Sequence, residues 1–376
     1  MTFDIAIIGA GIIGAACAYR LASEGLSVAI IEANGIASGT TAAAMGHIVV
    51  MDDNEAEFAL TNYSQKLWNE LAEKLPKSAE YEHCGTIWIA SDDEEMQEVR
   101  RKRDFYEKRG VKSEVLDEKS LREAEPNLRN GLVGGLLVKG DSVVYQPCAT
   151  QFLLESSNAK VFLGKRAIEI TENGVKLEDS TFIEAKKIII ATGIWSNELL
   201  KDIKIRKKKG HLVITERYPN FVKHQLIELG YLKSAHAGES DSVAFNVQPR
   251  TTEQVLIGSS RQFDVENKAI DYNILRQMMS RAFEYMPNLK TLSAVRVWTG
   301  FRPATPDNLP FIGQHSKFEN IFLAYGHEGL GITTSLGTAE LLTDEILGRE
   351  SKIDRKPYSP KRLEIGRNAT VKERVN

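Results

Sequence analysis

The sequence is short of the features that mark disulfide-rich, metal-binding and membrane-spanning proteins. Among its 376 residues there are three cysteines, Cys17, Cys84 and Cys148, which lie far apart and form no C-x-x-C pair. They indicate neither a disulfide framework nor a zinc or iron–sulfur site, so we predict no metal. No apolar stretch reaches the roughly 18 residues that a helix needs to cross a bilayer.

The charge and the N-terminal sequence indicate which partners and which cellular location to expect. The formal net charge is −3, so nothing indicates a nucleic-acid partner. Only four residues precede the first apolar run, which leaves no room for a signal peptide, and we predict a cytoplasmic protein. Peripheral attachment to the inner membrane face is the alternative. The basic run Arg206-Lys207-Lys208-Lys209 favours a solvated connection, with a contact to anionic lipid as its second interpretation.

The first 32 residues carry the clearest pattern. Apolar residues 5–8 predict a buried strand, residues 15–23 a helix, and residues 28–31 a second buried strand. The turn between the first strand and the helix reads Gly9-Ala10-Gly11-Ile12-Ile13-Gly14. Glu32 closes the second strand, 18 residues after the third glycine. This order and spacing of strand, glycine turn, helix, second strand and acid predicts a dinucleotide-binding unit.

Each part of that unit has a physical role. Gly9 allows the tight turn, Gly11 lets a pyrophosphate approach the backbone, and Gly14 lets helix and strand pack closely. The free N–H groups at the helix start face the phosphates. Glu32 is expected to accept hydrogen bonds from a ribose hydroxyl and to repel a 2′-phosphate. The unit alone fits either NAD or FAD.

The stretch that follows has no charged side chain from residue 33 to residue 50. Because a solvated loop of that length normally carries charge, we expect its small residues to lie against the cofactor; a flexible loop is the alternative. The candidate contacts are Ala33, Ser38, Gly39, Thr40, Thr41, Ala44, Met45, Gly46 and His47.

Two later segments also pass from a predicted strand into a turn of small residues. Thr192 and Gly193 follow the strand predicted over 186–191. The strand predicted over 321–324 leads to Gly326-His327-Glu328-Gly329-Leu330-Gly331-Ile332, and a helix is predicted from Thr333. The N–H groups of this second glycine turn are placed to meet a ligand. Arg302 stands between Gly300 and Pro303, in a predicted loop after the strand over 294–298.

These motifs resemble the FAD-dependent D-amino-acid oxidase family, in its glycine oxidase and sarcosine oxidase branch. The resemblance covers about residues 4–348 and rests on four segments, 9–14, 190–196, 298–307 and 326–332. Segments 45–53 and 327–334 resemble more closely the bacterial D-hydroxyproline dehydrogenases, with the related flavoprotein subunits of hydrogen cyanide synthase and opine oxidase.

The resemblance implies an α/β fold in two domains. One is a Rossmann-like FAD-binding domain of the glutathione-reductase type, expected over residues 1–80, 146–205 and 300–350. The other is an inserted α+β substrate domain built on an antiparallel sheet, expected over residues 81–145 and 206–299. Residues 351–376 are expected to form a C-terminal tail that frays.

The resemblance also implies FAD as the cofactor, bound without a covalent link. Sarcosine oxidases attach the flavin through a cysteine in the segment where Gly300 stands. Further residues implied to contact FAD are Ala167, which holds the adenine edge, and Thr192, Gly193, Trp195, Arg302, Gly329, Leu330, Gly331, Ile332 and Thr333.

Arg302 matches the arginine that binds the substrate carboxylate in the family, and a guanidinium fork suits a carboxylate. Two departures change the pocket: Phe245-Asn246 replaces a tyrosine that helps to bind the carboxylate, and Gly329 replaces an arginine. His47, His327 and Glu328 are candidates for contacting the amine or a ring hydroxyl, and Asn246 is a further substrate candidate.

The activity implied is oxidation of a D-amino or cyclic imino acid, of the D-hydroxyproline or D-proline type, by hydride transfer from Cα to flavin N5. Because the chain carries no iron–sulfur centre, electrons must pass to a quinone, to O₂ or to an electron-transfer subunit. One alternative is a glycine or sarcosine oxidase that uses O₂, and another is the flavoprotein subunit of a hetero-oligomeric dehydrogenase. A non-catalytic dinucleotide sensor is the third. A homo-oligomer or a hetero-oligomer is possible.

Overall fold

In the computed structural model the chain begins with the β–α–β unit that the sequence predicts. The structure describes residues 2–201, 205–230, 241–263 and 265–362. Strand β1 (Phe3–Ile8) enters helix α1 (Ile12–Ser23), and the chain returns as β2 (Val28–Glu32). Ile5 lies opposite Val28 in a parallel pair. The continuous apolar runs of both strands are buried on both faces, as a parallel strand in an α/β protein requires.

The first sheet is built around β1. Its strand order is β17-β18-β11-β1-β2-β8, and β10 and β9 extend it from β11. The neighbours from β18 to β8 are parallel, and the pairs that involve β17, β10 and β9 are antiparallel. The additional strands are β8 (Lys160–Leu163), β9 (Ala167–Thr171), β10 (Gly174–Leu177), β11 (Phe182–Ile190), β17 (Phe311–Gln314) and β18 (Ile321–Tyr325).

Helices cover one face of the first sheet. α3 (Glu55–Ala72), α6 (Gln146–Ser157) and α9 (Ser335–Ile346) pack with α1 around a shared apolar core. Trp68 of α3 is buried in that core, and its indole N–H donates to the carbonyls of Ile332 and Thr333 at 3.1 Å. This contact holds the glycine turn before α9 in place.

The second sheet is almost entirely antiparallel. Its order is β16-β12-β15-β14-β13-β4-β6-β5, and only β13 and β4 run parallel. Its strands are β4 (Thr86–Ala90), β5 (Ser113–Asp117), β6 (Gly134–Val138), β12 (Arg206–Arg217), β13 (Gln225–Glu228), β14 (Ser242–Pro249), β15 (Gln254–Phe263) and β16 (Ala294–Ala304). Helix α8 (Tyr272–Tyr285) packs on it, with Tyr285 stacked on Phe245. The α/β fold class is confirmed, with a first sheet whose central strands are parallel and a second sheet that is mainly antiparallel.

The remaining elements are short or lie at the edges of the sheets. β3 (His47–Ile48) pairs with β7 (Ser142–Val143). The other helices are α2 (Thr40–Ala43), α4 (Asp93–Glu107), α5 (Glu118–Ala124) and α7 (Ser196–Leu199). Single 3₁₀ turns cover Lys77–Ala79, Gly193–Trp195, Pro287–Thr291 and Lys356–Tyr358. No helix in the described ranges is long and apolar enough to cross a membrane.

Three local expectations differ from the structure. Arg302 lies within strand β16, not in a loop after it, and the predicted domain boundary at residue 300 falls inside that strand. The basic run Arg206–Lys209 begins β12 and is not a solvated connection, since Lys209 is buried. In the tail, Tyr358 is buried and its hydroxyl donates to the Ala56 carbonyl at 2.6 Å. Residues 363–376 lie outside the described residues, and the division into two domains stays a prediction.

A buried ion pair joins the segment before α3 to α4. The ammonium of Lys102 bonds the carboxylate of Asp52, and both side chains are almost fully buried. Lys102 also lies 4.5 Å from the ring centroid of Trp88. Arg101 contacts the same carboxylate at 3.1 Å from the surface side.

We predict that Lys102→Met lowers the free energy of unfolding by about 3 kcal/mol, because it leaves the Asp52 carboxylate buried without its main partner. Adding Asp52→Asn to that variant should recover more than half of the loss. Chemical denaturation measures both effects. Lys119→Met, which removes an exposed lysine from α5, is the control and should change stability by less than about 0.5 kcal/mol. Equal stability of Lys102→Met and wild type would contradict the ion-pair assignment.

Candidate functional site

A cavity runs between the glycine turn after β1 and the first strands of the second sheet. Its walls come from the turn before α1, the segment over 38–47, the turns after β11 and β18, and strands β12 and β16. Met51, Asp53, Asn54, Glu57 and Trp88 also line it.

Backbone geometry shapes the end of the cavity at the first glycine turn. Gly9 has φ +110°, and a Cβ there would lie 2.6 Å from the Ala191 carbonyl oxygen. At Gly14 a Cβ would lie 2.0 Å from the Gly9 oxygen, so only glycine lets α1 pack this closely. The N-cap of α1, Gly11, offers no side-chain cap, and the first turn of α1 has no acid. The Ile12 N–H donates to the Thr41 hydroxyl at 3.1 Å. The other N-terminal N–H groups and the helix dipole suit a phosphate-bearing ligand.

Glu32 organises the same end of the cavity. One carboxylate oxygen accepts from the N–H of Ala10 at 2.8 Å, and the other accepts from the N–H of Asn34 at 2.7 Å. A carboxylate has about four lone-pair positions, so each oxygen retains capacity for a ligand hydroxyl. Glu32 thus ties the glycine turn to the end of β2 while it lines the cavity.

Hydrogen bonds from other elements hold the uncharged segment over 38–47 against the cavity. Thr40 donates to the Phe301 carbonyl at 2.9 Å, and Gln248 donates to the Met45 carbonyl at 2.8 Å. Gln146 donates to the Ala44 carbonyl at 2.8 Å. These three contacts favour the interpretation of the segment as a cavity wall over that of a flexible loop.

Most of the residues predicted for the site line this one cavity. They are Gly9, Gly11, Ile12, Ile13, Glu32, Ala33, Ser38, Gly39, Thr40, Thr41, Ala44, Met45, Gly46, His47, Ala167, Thr192, Gly193, Trp195, Asn246, Arg302, His327, Glu328, Gly329, Leu330, Gly331 and Ile332.

Three predicted site residues support the walls instead. Ala10 bonds Glu32 through its N–H, and Gly14 packs α1 against β1. Thr333 donates from its hydroxyl to the His47 carbonyl at 2.8 Å and accepts from the Val49 N–H at 3.3 Å.

Arg302 reaches the cavity from the edge strand β16. Its guanidinium donates to the Ser260 carbonyl at 3.1 Å, which fixes one of its nitrogens and leaves other donors for a ligand. A Cβ at Gly210 would lie 3.0 Å from that guanidinium, so the glycine on β12 makes room for it. In the β12–β16 register Gly210 lies opposite Gly300.

Two further cations, Lys208 and Arg261, lie near Glu328 together with Arg302. One Glu328 oxygen lies 3.5 Å from Lys208 Nζ and 3.8 Å from an Arg261 guanidinium nitrogen. Burial raises the pKa of Glu328, but Arg302, Arg261 and Lys208 outweigh that effect and hold the pKa below its usual range. Glu328 is therefore an anion among three cations. Glu328 has φ +48°, a left-handed conformation that these ion pairs and its bond from the Gly329 N–H help to hold.

Both candidate histidines are neutral at physiological pH. Burial lowers the pKa of His47 to about 4; a side-chain hydrogen bond with Gln248 opposes this shift, and the charge of Arg302 adds to it. Burial lowers the pKa of His327 to about 3, and its Nε2 lies 3.0 Å from the Thr338 hydroxyl. The Nε2 of His47 and the amide oxygen of Asn246 have no hydrogen-bond partner in the described part of the chain. These buried atoms suit a polar ligand.

Four residues that line the cavity were not predicted from the sequence: Lys208, Arg261, Glu57 and Trp88. Lys208 lies in a run of four basic residues, and the other three lie in strands or helices that show no motif. Only the pairing of distant strands brings them to the cavity. The one available signal was the unusual placement of a basic run directly before an apolar strand.

The profile of the FAD dependent oxidoreductase family, abbreviated DAO, matches residues 4–345. The chain belongs to this family. It is similar to the glycine oxidase of Geobacillus kaustophilus (strain HTA426), with 26% identity over 95% of this chain and 96% of that protein. The crystal structure of glycine oxidase from Geobacillus kaustophilus has a TM-score of 0.87 at 24% identity and covers 96% of this chain and 99% of its own.

A further relative is the hydrogen cyanide synthase subunit HcnC of Pseudomonas aeruginosa (strain ATCC 15692), 26% identical over 96% of this chain and 97% of that protein. The protein is therefore an FAD-dependent oxidoreductase. The start of α1 without an acid in its first turn, the Glu32 carboxylate and the small residues over 38–46 fit that cofactor.

We predict that Glu32→Ala weakens FAD binding at least tenfold, because the variant loses the anchor of the Ala10 N–H as well as a hydroxyl acceptor. Glu32→Gln, which keeps one acceptor oxygen, should lose less. Titration of the apoprotein with FAD, followed by flavin fluorescence, measures the dissociation constants. Glu24→Ala, which removes a carboxylate outside the cavity at the end of α1, should bind FAD as wild type does. Undiminished affinity in Glu32→Ala would refute the role of this side chain.

Proposed function

We propose that the protein is an FAD-dependent dehydrogenase of D-amino or cyclic imino acids of the D-hydroxyproline or D-proline type. The observation that carries the proposal is the guanidinium of Arg302, held by Ser260 at the wall of the FAD cavity with donors left for a ligand. An Arg fork binds a carboxylate bidentately and so fixes the orientation of the attached Cα.

FAD, when bound, supplies the hydride acceptor. The residues of the chain bind and orient the substrate. Arg302, with Lys208 and Arg261 nearby, attracts the carboxylate, and Glu328 partly balances their charge. The neutral His47 offers an unpartnered ring nitrogen, and Asn246 an unpartnered amide oxygen, to the amine. No cationic histidine repels a substrate amine in this arrangement.

Other residues that line the cavity favour a substrate larger than glycine. Met51, Trp88 and Ile227 add apolar surface to the same cavity. Asn246 and Gly329 are shorter than the tyrosine and arginine that the family resemblance places at these positions. A saturated ring would use the room and the apolar contacts, whereas glycine has no side chain to do so.

We further propose that FAD is bound without a covalent link to cysteine. None of Cys17, Cys84 and Cys148 lines the cavity. A Cβ at Gly300 would lie 2.4 Å from the Ala43 Cβ, so the position that carries the attachment in sarcosine oxidases has no room for one. The flavin should therefore stay in solution when the protein is precipitated with acid.

A glycine or sarcosine oxidase that uses O₂ is the second candidate, because glycine oxidases are relatives over nearly the whole chain. A third candidate is the flavoprotein subunit of a larger dehydrogenase, which the relationship to HcnC supports. An anaerobic panel of D- and L-amino acids, followed at the flavin absorption band, decides the substrate. Peroxide yield against dye reduction then separates an oxidase from a dehydrogenase.

We predict that Arg302→Lys lowers kcat/KM for D-proline about 100-fold and Arg302→Ala further, mainly through KM, because the bidentate contact is lost. FAD content should stay near the wild-type value. Steady-state kinetics with a dye acceptor measures the change. Arg296→Ala removes an exposed arginine from the same strand and is the matched control. Unchanged kinetics in Arg302→Ala would disprove the carboxylate assignment.

A further inference from the structure

Glu57 lines the cavity from the first turn of α3 and is not used by the proposed chemistry. Asn54 caps α3 by accepting from the Glu57 N–H at 2.8 Å. In a capping box the acid at this position would bond back to the N–H of the cap residue. Here one Glu57 oxygen is buried and has no hydrogen-bond partner among the described residues. Helix capping therefore does not account for this carboxyl group.

The surroundings of Glu57 favour its neutral form. Burial, then the charge of Asp53 and a hydrogen bond with the Asp53 side chain, raise the pKa of Glu57 to about 8, and Glu328 and Asp52 contribute less. A protonated carboxyl group both donates and accepts a hydrogen bond, so Glu57 can bond Asp53 and still accept at its unpartnered oxygen.

Trp88 provides a second, independent polar group. Its side chain is 2% exposed and lines the cavity, and its indole N–H has no hydrogen-bond partner in the part of the chain that the structure describes. Trp88 and Phe58, the neighbour of Glu57, belong to one apolar cluster. A buried indole N–H normally finds a partner, so its lack of one indicates a ligand atom.

Together the two groups suit an alcohol. A hydroxyl can donate to one acceptor and accept from one donor, and it is small enough to sit on an apolar wall. The carboxyl of Glu57 and the N–H of Trp88 supply those two contacts, while the cations around Arg302 take the carboxylate of the same molecule. The same cavity therefore offers cations for an anion and two groups for a neutral polar ligand atom.

We propose that Glu57 and Trp88 bind the ring hydroxyl of a hydroxylated cyclic imino acid and so select it over the unsubstituted ring. This inference rests on the proposed function, because it concerns the same substrate. A site that bonds a substrate hydroxyl discriminates against the analogue that lacks it, since its buried polar groups are then left unpaired.

The test compares cis-4-hydroxy-D-proline with D-proline as kcat/KM ratios on the FAD-loaded enzyme with a dye acceptor. In Glu57→Leu the ratio should fall at least tenfold, about the effect of one buried hydrogen bond, while kcat/KM for D-proline changes little. Glu57→Gln should keep most of the preference, because its amide also donates and accepts. Trp88→Phe, which keeps a ring and removes the N–H, should lower the ratio in the same direction if Glu57→Leu does not fold.

Glu55→Gln is the matched control, since it neutralises an exposed acid two residues away on the same helix, outside the cavity. Its ratio should equal that of wild type. Equal use of both imino acids by wild type, or a ratio unaffected by Glu57→Leu, would overturn this inference alone. An equal loss for both substrates in Glu57→Leu would also overturn it, because Glu57 would then contact a group that both share. If neither imino acid reduces the wild-type flavin, the proposed function falls, and this inference with it.

Discussion

The site depends on the close contact between the uncharged segment over 38–46 and the edge strand β16. A Cβ at Gly300 would overlap Ala43. Across the same junction the Thr40 hydroxyl donates to the Phe301 carbonyl at 2.9 Å, and the Trp298 indole N–H donates to the Ala43 carbonyl at 3.3 Å. Because small residues line both sides, the wall of the FAD cavity and the strand that carries Arg302 meet without a gap. A larger side chain at this junction would separate the Arg302 guanidinium from the wall formed by residues 38–46.

Local patterns in the sequence were enough to predict the β–α–β unit, because its strand, glycine turn and helix are determined by neighbouring residues. The loop predicted around Arg302 was wrong for a physical reason. Gly300 and Pro303 usually interrupt a strand, but β16 is the edge of its sheet, and an edge strand tolerates proline. The sheet order that makes β16 an edge depends on pairing between distant strands, which the local sequence does not reveal.

Long-range pairing and packing also explain why the sequence did not indicate some charged residues of the cavity. Lys208 looks like one member of a solvated basic run until β12 pairs with β15 and β16, which places it beside Glu328. Glu57 looks like an ordinary acid in the first turn of a helix, favoured there by the helix dipole. Its burial follows from the packing of α3 against the cavity wall. Residues that act through long-range contacts carry no local signature.

The charges in the cavity are unevenly distributed. Arg302, Arg261 and Lys208 lie around the anion Glu328, while both histidines are neutral and the pKa of Glu57 is raised. This leaves an excess of positive charge around Arg302, which one substrate carboxylate would partly neutralise. An ionised Glu57 would add to the negative charge of the neighbouring Asp53, attract a substrate amine and compete with that orientation. The raised pKa of Glu57 limits this competition, so the cations around Arg302 have the larger influence on the direction in which a substrate would bind.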